Sequence, residues 1–267
     1  MTGARRCAGA LLALAQLGWR EAAAEWTTLA GRALVFALPV AIFAAIWDAT
    51  PLAAITLPKH DAAHLVWYVT ITEVIVFAMA LPFREVEAEI RSGRIESKLT
   101  RPVPYTLAVF AEACGGGLLR FLALAAFGLA LGFALTGTLP VHASALLPLL
   151  LAAWLGCVMG IAFQLAIGLA TPWIGEASPL FWIWQKGLFV LGGLLLPLTL
   201  YPAGVTAVAW FTPFPAMLFL PAGLVFDDGA GAVAACLAQQ AAWSAPIALG
   251  LALIDRRAMA RFLRQGA

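Results

Sequence analysis

Residues 121–175 read FLALAAFGLALGFALTGTLPVHASALLPLLLAAWLGCVMGIAFQLAIGLATPWIG, and no Asp, Glu, Lys or Arg interrupts them. A membrane-spanning helix needs roughly 20 predominantly apolar residues, so this stretch is long enough for two crossings. The polar, turn-forming segment Thr136-Gly-Thr-Leu-Pro-Val-His-Ala-Ser144 divides it where the chain would reverse. Two more uncharged intervals, Gly187 to Phe226 and Gly229 to Ile254, extend the pattern. The whole chain is 63% hydrophobic and 11% charged, against about half and a quarter in an ordinary soluble domain. A soluble fold cannot cover that much apolar surface. The expected class is an all-α integral membrane protein, one transmembrane domain over residues 1–267.

Six spans are expected, near Ala33 to Ile55, Val66 to Phe83, Leu118 to Leu139, Ala145 to Ala170, Phe181 to Leu200 and Val233 to Ile254. With the N-terminus inside, every one of the sixteen basic residues except Lys59 falls on the cytoplasmic side. That asymmetry is what the positive-inside bias predicts, and a model with five or seven spans scatters the charges. Both termini are therefore expected in the cytoplasm.

Three pieces do not read as straight spans. Residues 1–30 carry Arg5, Arg6, Trp19, Arg20, Glu21, Glu25 and Trp26 around an apolar run, without a small-residue cleavage site; they suit a retained interfacial helix, an elbow leading into the first span. Residues 84–104 are the most charged stretch, helix-prone at first and then broken by Gly93, Pro102 and Pro104. Residues 201–230 are apolar but punctuated by Pro202, Pro213, Pro215 and Pro221, which predicts a re-entrant or interfacial element on the outer face before the last helix. Residues 255–267 form the cytoplasmic tail. Gly128-x-x-x-Gly132 and Gly156-x-x-x-Gly160 would let helix backbones approach closely, within the subunit or in a dimer.

Reactive chemistry is sparse. The net charge of +2 carries no nucleic-acid footprint. Cys7, Cys114, Cys157 and Cys236 lack pairing or metal-ligand spacing and read as small apolar fillers. The phosphate-cradling Gly-x-x-x-x-Gly-Lys-Ser/Thr loop is not present, so nucleotide energy would have to come from a partner. His60-Asp61-Ala-Ala-His64 offers two imidazoles at helical spacing, but two ligands do not make a zinc site, and a solvated outer loop is the reading. Glu73 falls inside the second span, an expensive place for a carboxylate, and reads either as a structural acid or as a translocation-path residue. Asp48 reads as an interfacial anchor or a second path residue. Gln164, Gln239, Gln240 and Ser244 can bond between helices or line a path.

The order of parts resembles the permeases of the type-2 ABC exporter superfamily, in particular a bacterial branch of six-span permeases. The matching residues are Glu89-Ile90-Arg91-Ser92-Gly93-Arg94-Ile95 with Leu99 and Arg101-Pro102, and later Leu196-Pro197-Leu198-Thr199-Leu200-Tyr201-Pro202, Thr212-Pro213-Phe214-Pro215 and Pro221-Ala222. The resemblance implies a non-catalytic half-transporter in the bacterial inner membrane, pairing with an identical or related permease and with two cytoplasmic ATP-binding subunits that hold ATP and Mg²⁺. It also implies that the loop after the second span carries a coupling helix. That role would fall to Arg84, Glu85, Glu87, Glu89, Arg91, Arg94 and Arg101 as charged contacts, with Gly93 as a break. Ile90, Ile95 and Leu99 are the apolar members, Ile90 and Ile95 filling a notch on the ATPase. An ion-coupled secondary transporter with Glu73 as the ion site, and a membrane enzyme acting on lipid, are the competing readings.

Overall fold

The computed structural model describes residues 2–50, 61–99 and 103–265. Within them the chain is all helix and turn, with no strand. The elements are α1 (Thr2–Ala24), α2 (Trp26–Ala49), α3 (Ala62–Ala78), α4 (Pro82–Arg91), α5 (Ile95–Leu99), α6 (Tyr105–Thr136), α7 (Leu146–Leu169), α8 (Thr171–Ile174), α9 (Ser178–Leu191), α10 (Ala203–Trp210), α11 (Phe214–Met217), α12 (Phe219–Gly223) and α13 (Ala230–Gln265). Five helical stretches among the described residues are long and apolar enough to cross a membrane: Trp26–Ala49, Ala62–Arg91, Tyr105–Thr136, Ala143–Ile174 and Ala230–Arg261.

Helix α3 is the axis of the bundle. Every residue from Leu65 to Ile75 is buried, as expected of a helix apolar all round and surrounded by protein. Helices α2 and α13 are peripheral, and α2 presents Leu34, Val35, Leu38, Ile42 and Ile46 outward. Lipid is as apolar as these side chains, so close packing rather than water exclusion must hold the helices together. The glycines show how. A Cβ at Gly132 would lie 2.5 Å from the Trp67 ring, at Gly156 2.3 Å from the Met217 carbonyl, and at Gly160 2.5 Å from the Met79 sulfur. Both Gly-x-x-x-Gly pairs are thus spent on contacts within the subunit.

Helix α3 stops at Ala78, short of the expected Phe83. Pro82 restricts the residue before it, and Leu81 takes φ −114° and ψ 58°, so the helix must end and restart as α4. The carbonyls this frees are capped by arginines from two neighbours: Arg32 donates to the Phe77 carbonyl at 2.8 Å and Arg120 to that of Ala78 at 3.5 Å. Cations at a helix C-terminus also complement its dipole.

Helix α1 is the stretch that the sequence predicts as an elbow. It packs closely along the first half of α6, where a Cβ at Gly115 would meet the Ala15 carbonyl at 1.8 Å and one at Gly18 the Glu112 carbonyl at 2.1 Å. Helix α6, at about 48 Å for its 32 residues, exceeds the roughly 30 Å hydrocarbon thickness, so part of its length must lie beyond the hydrocarbon. The stretch expected as a tail after Ile254 continues α13 to Gln265.

The expected fifth span, Phe181 to Leu200, is not one helix. Helix α9 ends at Leu191, Gly193 adopts φ +68°, and Pro197 leads into a single turn over Leu198–Leu200. Its 14 residues rise about 21 Å. From there short helices α10 to α12 carry the chain to Asp228, beside His142. The protein supplies hydrogen-bond partners for this irregular backbone. Tyr68 and Thr72 of α3 donate to the carbonyls of Gly193 and Leu194, and Gln240 of α13 donates to that of Ala216 at 3.1 Å.

Candidate functional site

Pro82 at the start of α4 has the helical φ already set, while Glu85 in the first turn and Arg91 in the last complement the dipole. Ser92 closes the helix, its amide and hydroxyl both donating to the Ala88 carbonyl, at 3.0 and 2.6 Å. Gly93 follows at φ +73°, a left-handed conformation that a side chain would strain, and turns the chain into α5. The result is a short hairpin of two helices.

One face of the hairpin is bound into the bundle. Phe83 stacks on Phe181 of α9 with ring centroids 4.2 Å apart. A Cβ at Gly168 of α7 would touch the Phe83 Cα and Val86 Cβ, both at 2.9 Å. Val86 and Ile95 share an apolar cluster with Tyr105 of α6, Leu165 and Leu169 of α7 and Ala258 of α13, and Ile90 packs on its edge. Glu89 is 5% exposed. The Tyr105 hydroxyl donates to its Oε2 at 2.7 Å, and Lys98 of α5 pairs with its Oε1 while also reaching Glu85 at 3.3 Å. Burial works against the Lys98 ammonium, but Glu89 and Glu85 outweigh it and hold its pKa above the usual value. The hairpin is thus in contact with α6, α7, α9 and α13.

The other face is free. Arg84, Glu85, Ala88, Arg91, Ser92, Arg94 and Glu96 are exposed, and Glu87 sits between the faces, accepting from Arg91 at 3.4 Å. Of the residues expected in the coupling loop, the structure divides two groups: Arg84, Glu85, Arg91 and Arg94 look outward, whereas Glu89 and Ile95 are buried inside the subunit and Ile90 is half-buried. Ile95, expected in a partner's notch, packs inside the subunit here, and Ile90 keeps part of its surface exposed. Leu99 ends α5, and Arg101 lies outside the described residues. Sequence reasoning missed Tyr105 and Lys98 as partners of Glu89. It also missed the Gly115–Gly117 run with Gly18, although a triple glycine in an apolar helix was a visible sign of close approach.

Glu73 is 4% exposed, 11 residues into α3 from Ala62, hence about 16 Å from that end and deeper than the sequence suggested. Its carboxylate meets no hydrogen-bond donor among the described residues. Asp48 is exposed at the far end of α2, in a shallow hollow with Ala62 and Thr136 that Glu73 does not line. The two acids are not brought together. Gln164 and Gln240 are both buried, each with Oε1 unpartnered among the described residues. At the same end as Asp48, Asp61 caps α3, accepting from the His64 amide at 2.8 Å and ring at 2.6 Å; His60 lies outside the described residues. Asp227 accepts from the Gly229 amide at 3.1 Å, and Asp228 from the His142 amide at 2.8 Å and ring at 2.6 Å. The pair Asp227–Asp228 is thus spent on local structure.

Residues 59–262 match a family described as "ABC-2 family transporter protein". No curated protein and no solved structure matches the chain.

Proposed function

The chain belongs to the ABC-2 transporter family, and from that premise we propose that it is the permease subunit of an ATP-driven exporter, docked on its ATP-binding subunit through the outward face of α4 and α5. It is a multi-pass membrane protein, and this hairpin lies at the cytoplasmic surface. Both termini then lie inside, because α1, the α4–α5 hairpin and the end of α13 share one end of the bundle, with the broken stretch α9 to α12 making the fifth of six crossings and dipping back from the outer face. A second permease completes the translocation path, and two ATPase subunits hold ATP and Mg²⁺.

The observation that carries this reading is the two-sidedness of the hairpin. Its inner face is tied to α6, α7, α9 and α13 by Glu89, Val86, Ile95 and Phe83, and its outer face is a solvated set of charges dominated by Arg84, Arg91 and Arg94. A surface element rigidly joined to the bundle is suited to transmit a movement imposed from outside, with the permease as the bistable element. Nucleotide would draw the ATPases together, the hairpins would follow, and the paired bundles would rock.

The test is purification of the tagged protein from detergent-solubilised membranes, with identification of what accompanies it. A Walker-type ATPase in about equal amount is expected for the wild type, and a loss of at least about tenfold for the double substitution Arg91→Glu with Arg94→Glu, since charge reversal replaces attraction by repulsion at both positions. Full retention by the double variant would remove the docking assignment. Glu73, unpartnered in mid-span, favours an ion-coupled secondary transporter as the second reading; transport that persists without any ATPase, driven by an ion gradient and lost in Glu73→Gln, would select it.

A further inference from the structure

Between the first turns of α6 and the last turns of α13 lies a groove of about 480 Å³, floored by α7, within the size range of small-molecule sites. Its α13 wall is a helical stripe from Ser244 to Arg256, about 18 Å long at 1.5 Å per residue. Along that wall Ser244, Ala248 and Ala252 recur every four residues. Small residues at this spacing ordinarily admit a neighbouring helix, but here they leave open space.

The groove is chemically polarised. Leu107 and Phe110 of α6, Met159 of α7 and Leu251 of α13 make its sides apolar. Thr106, Asp255 and Arg256 are its charged or hydroxylic groups at the end shared with the α4–α5 hairpin. The Thr106 hydroxyl donates to Asp255 Oδ1, which fixes the carboxylate and leaves Oδ2 for a second donor. Arg256 forms no ion pair among the described residues. A carboxylate and a guanidinium that both line one end of an apolar channel complement a molecule with one anion, one cation and a hydrocarbon tail.

We infer that this groove holds one zwitterionic phospholipid of the leaflet facing the hairpin, a phosphatidylethanolamine type. One acyl chain lies along Ala248 and Ala252, the phosphate sits on Arg256, and the ammonium is received by Asp255. The inference needs only that the chain resides in a membrane and is independent of the ATPase assignment. Such a lipid would tie α6 to α13 where the two helices flank the hairpin's inner cluster.

The experiment is native mass spectrometry of the full chain after delipidation, titrated in separate series with phosphatidylethanolamine and with phosphatidylglycerol. The wild type is expected to retain one phosphatidylethanolamine and to prefer it over phosphatidylglycerol by about tenfold, the size of one hydrogen bond to a charged group. Asp255→Asn keeps an oxygen for Thr106 and should abolish the preference. Arg256→Gln should weaken both lipids, and Ala248→Phe with Ala252→Phe should block retention of either. Equal retention of the two lipids by the wild type, or unchanged retention in the Phe double variant with native helicity, overturns the assignment. If the Phe variant fails to fold, the selectivity of Asp255→Asn decides: an unchanged preference for phosphatidylethanolamine also overturns it.

Discussion

Tyr105→Phe isolates the hydrogen bond that ties the hairpin to α6. The Tyr105 hydroxyl is the second donor on the buried Glu89 carboxylate, at 2.7 Å from Oε2, while Lys98 covers Oε1. Phenylalanine keeps the ring against Val86 and Ile95, so little packing is lost and the change is confined to one bond to a charged acceptor. Such bonds contribute about 1.5–3 kcal/mol, and 1.4 kcal/mol is a factor of ten. Opening of the hairpin should therefore rise about 10- to 150-fold. Hydrogen exchange reads it directly at the amides of Ser92, Gly93 and Glu96, which are bonded to the carbonyls of Ala88, Ile90 and Gly93. Exchange should accelerate there by that factor and stay unchanged in α3, whereas Arg91→Glu on the outer face should leave these amides alone. Acceleration of less than about threefold would refute the view that Glu89 is an internal anchor.

Gly115→Val should separate α1 from α6, because its Cβ would fall 1.8 Å from the Ala15 carbonyl, backbone that cannot yield; the expected cost is about 3 kcal/mol or more by overpacking, read as a lowered thermal midpoint and new protease cleavage between α1 and α2. Asp228→Asn should destabilise at neutral pH by an amount that vanishes in acid. Donation from the His142 amide and ring holds the Asp228 carboxyl below its usual range, and a depressed folded pKa gives stability that is present above the unfolded value of about 3.9 and lost as pH falls through the folded value. The difference in thermal midpoint between wild type and variant should accordingly shrink from pH 7 to pH 3, and a difference that is constant across this range would count against the latch. Glu73→Gln should impair export with little change in membrane insertion, measured by substrate efflux against protein abundance; undiminished efflux would leave Glu73 a packing residue.

The membrane class, the helical composition, the charged loop and the irregular course of the proline-punctuated segment were legible because they rest on long uncharged runs and on single punctuating residues. Gly93 marks a break that the structure contains, whereas the expected spans run through Pro82 and Pro197, where the structure breaks as well. What could not be read was where buried polar groups point. Glu89 sits in a run of charges that looks solvated throughout, and only the distant Tyr105, brought beside it by the fold, turns it inward. Helix ends misled wherever charge was taken as the boundary. The third span is expected from Leu118, yet α6 starts at Tyr105 and carries Arg120 inside it, where the guanidinium caps α3. The stretch expected as the fifth span illustrates the same point: an uninterrupted apolar run from Gly187 promises a helix, but Gly192 and Gly193 with Pro197 end it, and Tyr68, Thr72 and Gln240 supply bonds to the irregular backbone that follows.

Site-specific photo-crosslinking in intact cells tests most directly that the hairpin's outer face receives an ATPase. A photoreactive residue in place of Ala88 or Arg94, both exposed, should yield an adduct with an ATP-binding subunit, and the same residue in place of Ile95, buried against Leu165 and Leu169, should yield none. Adducts at Ala88 and Arg94 that contain only lipid or this chain itself would contradict the docking face and the ATP-driven mechanism built on it.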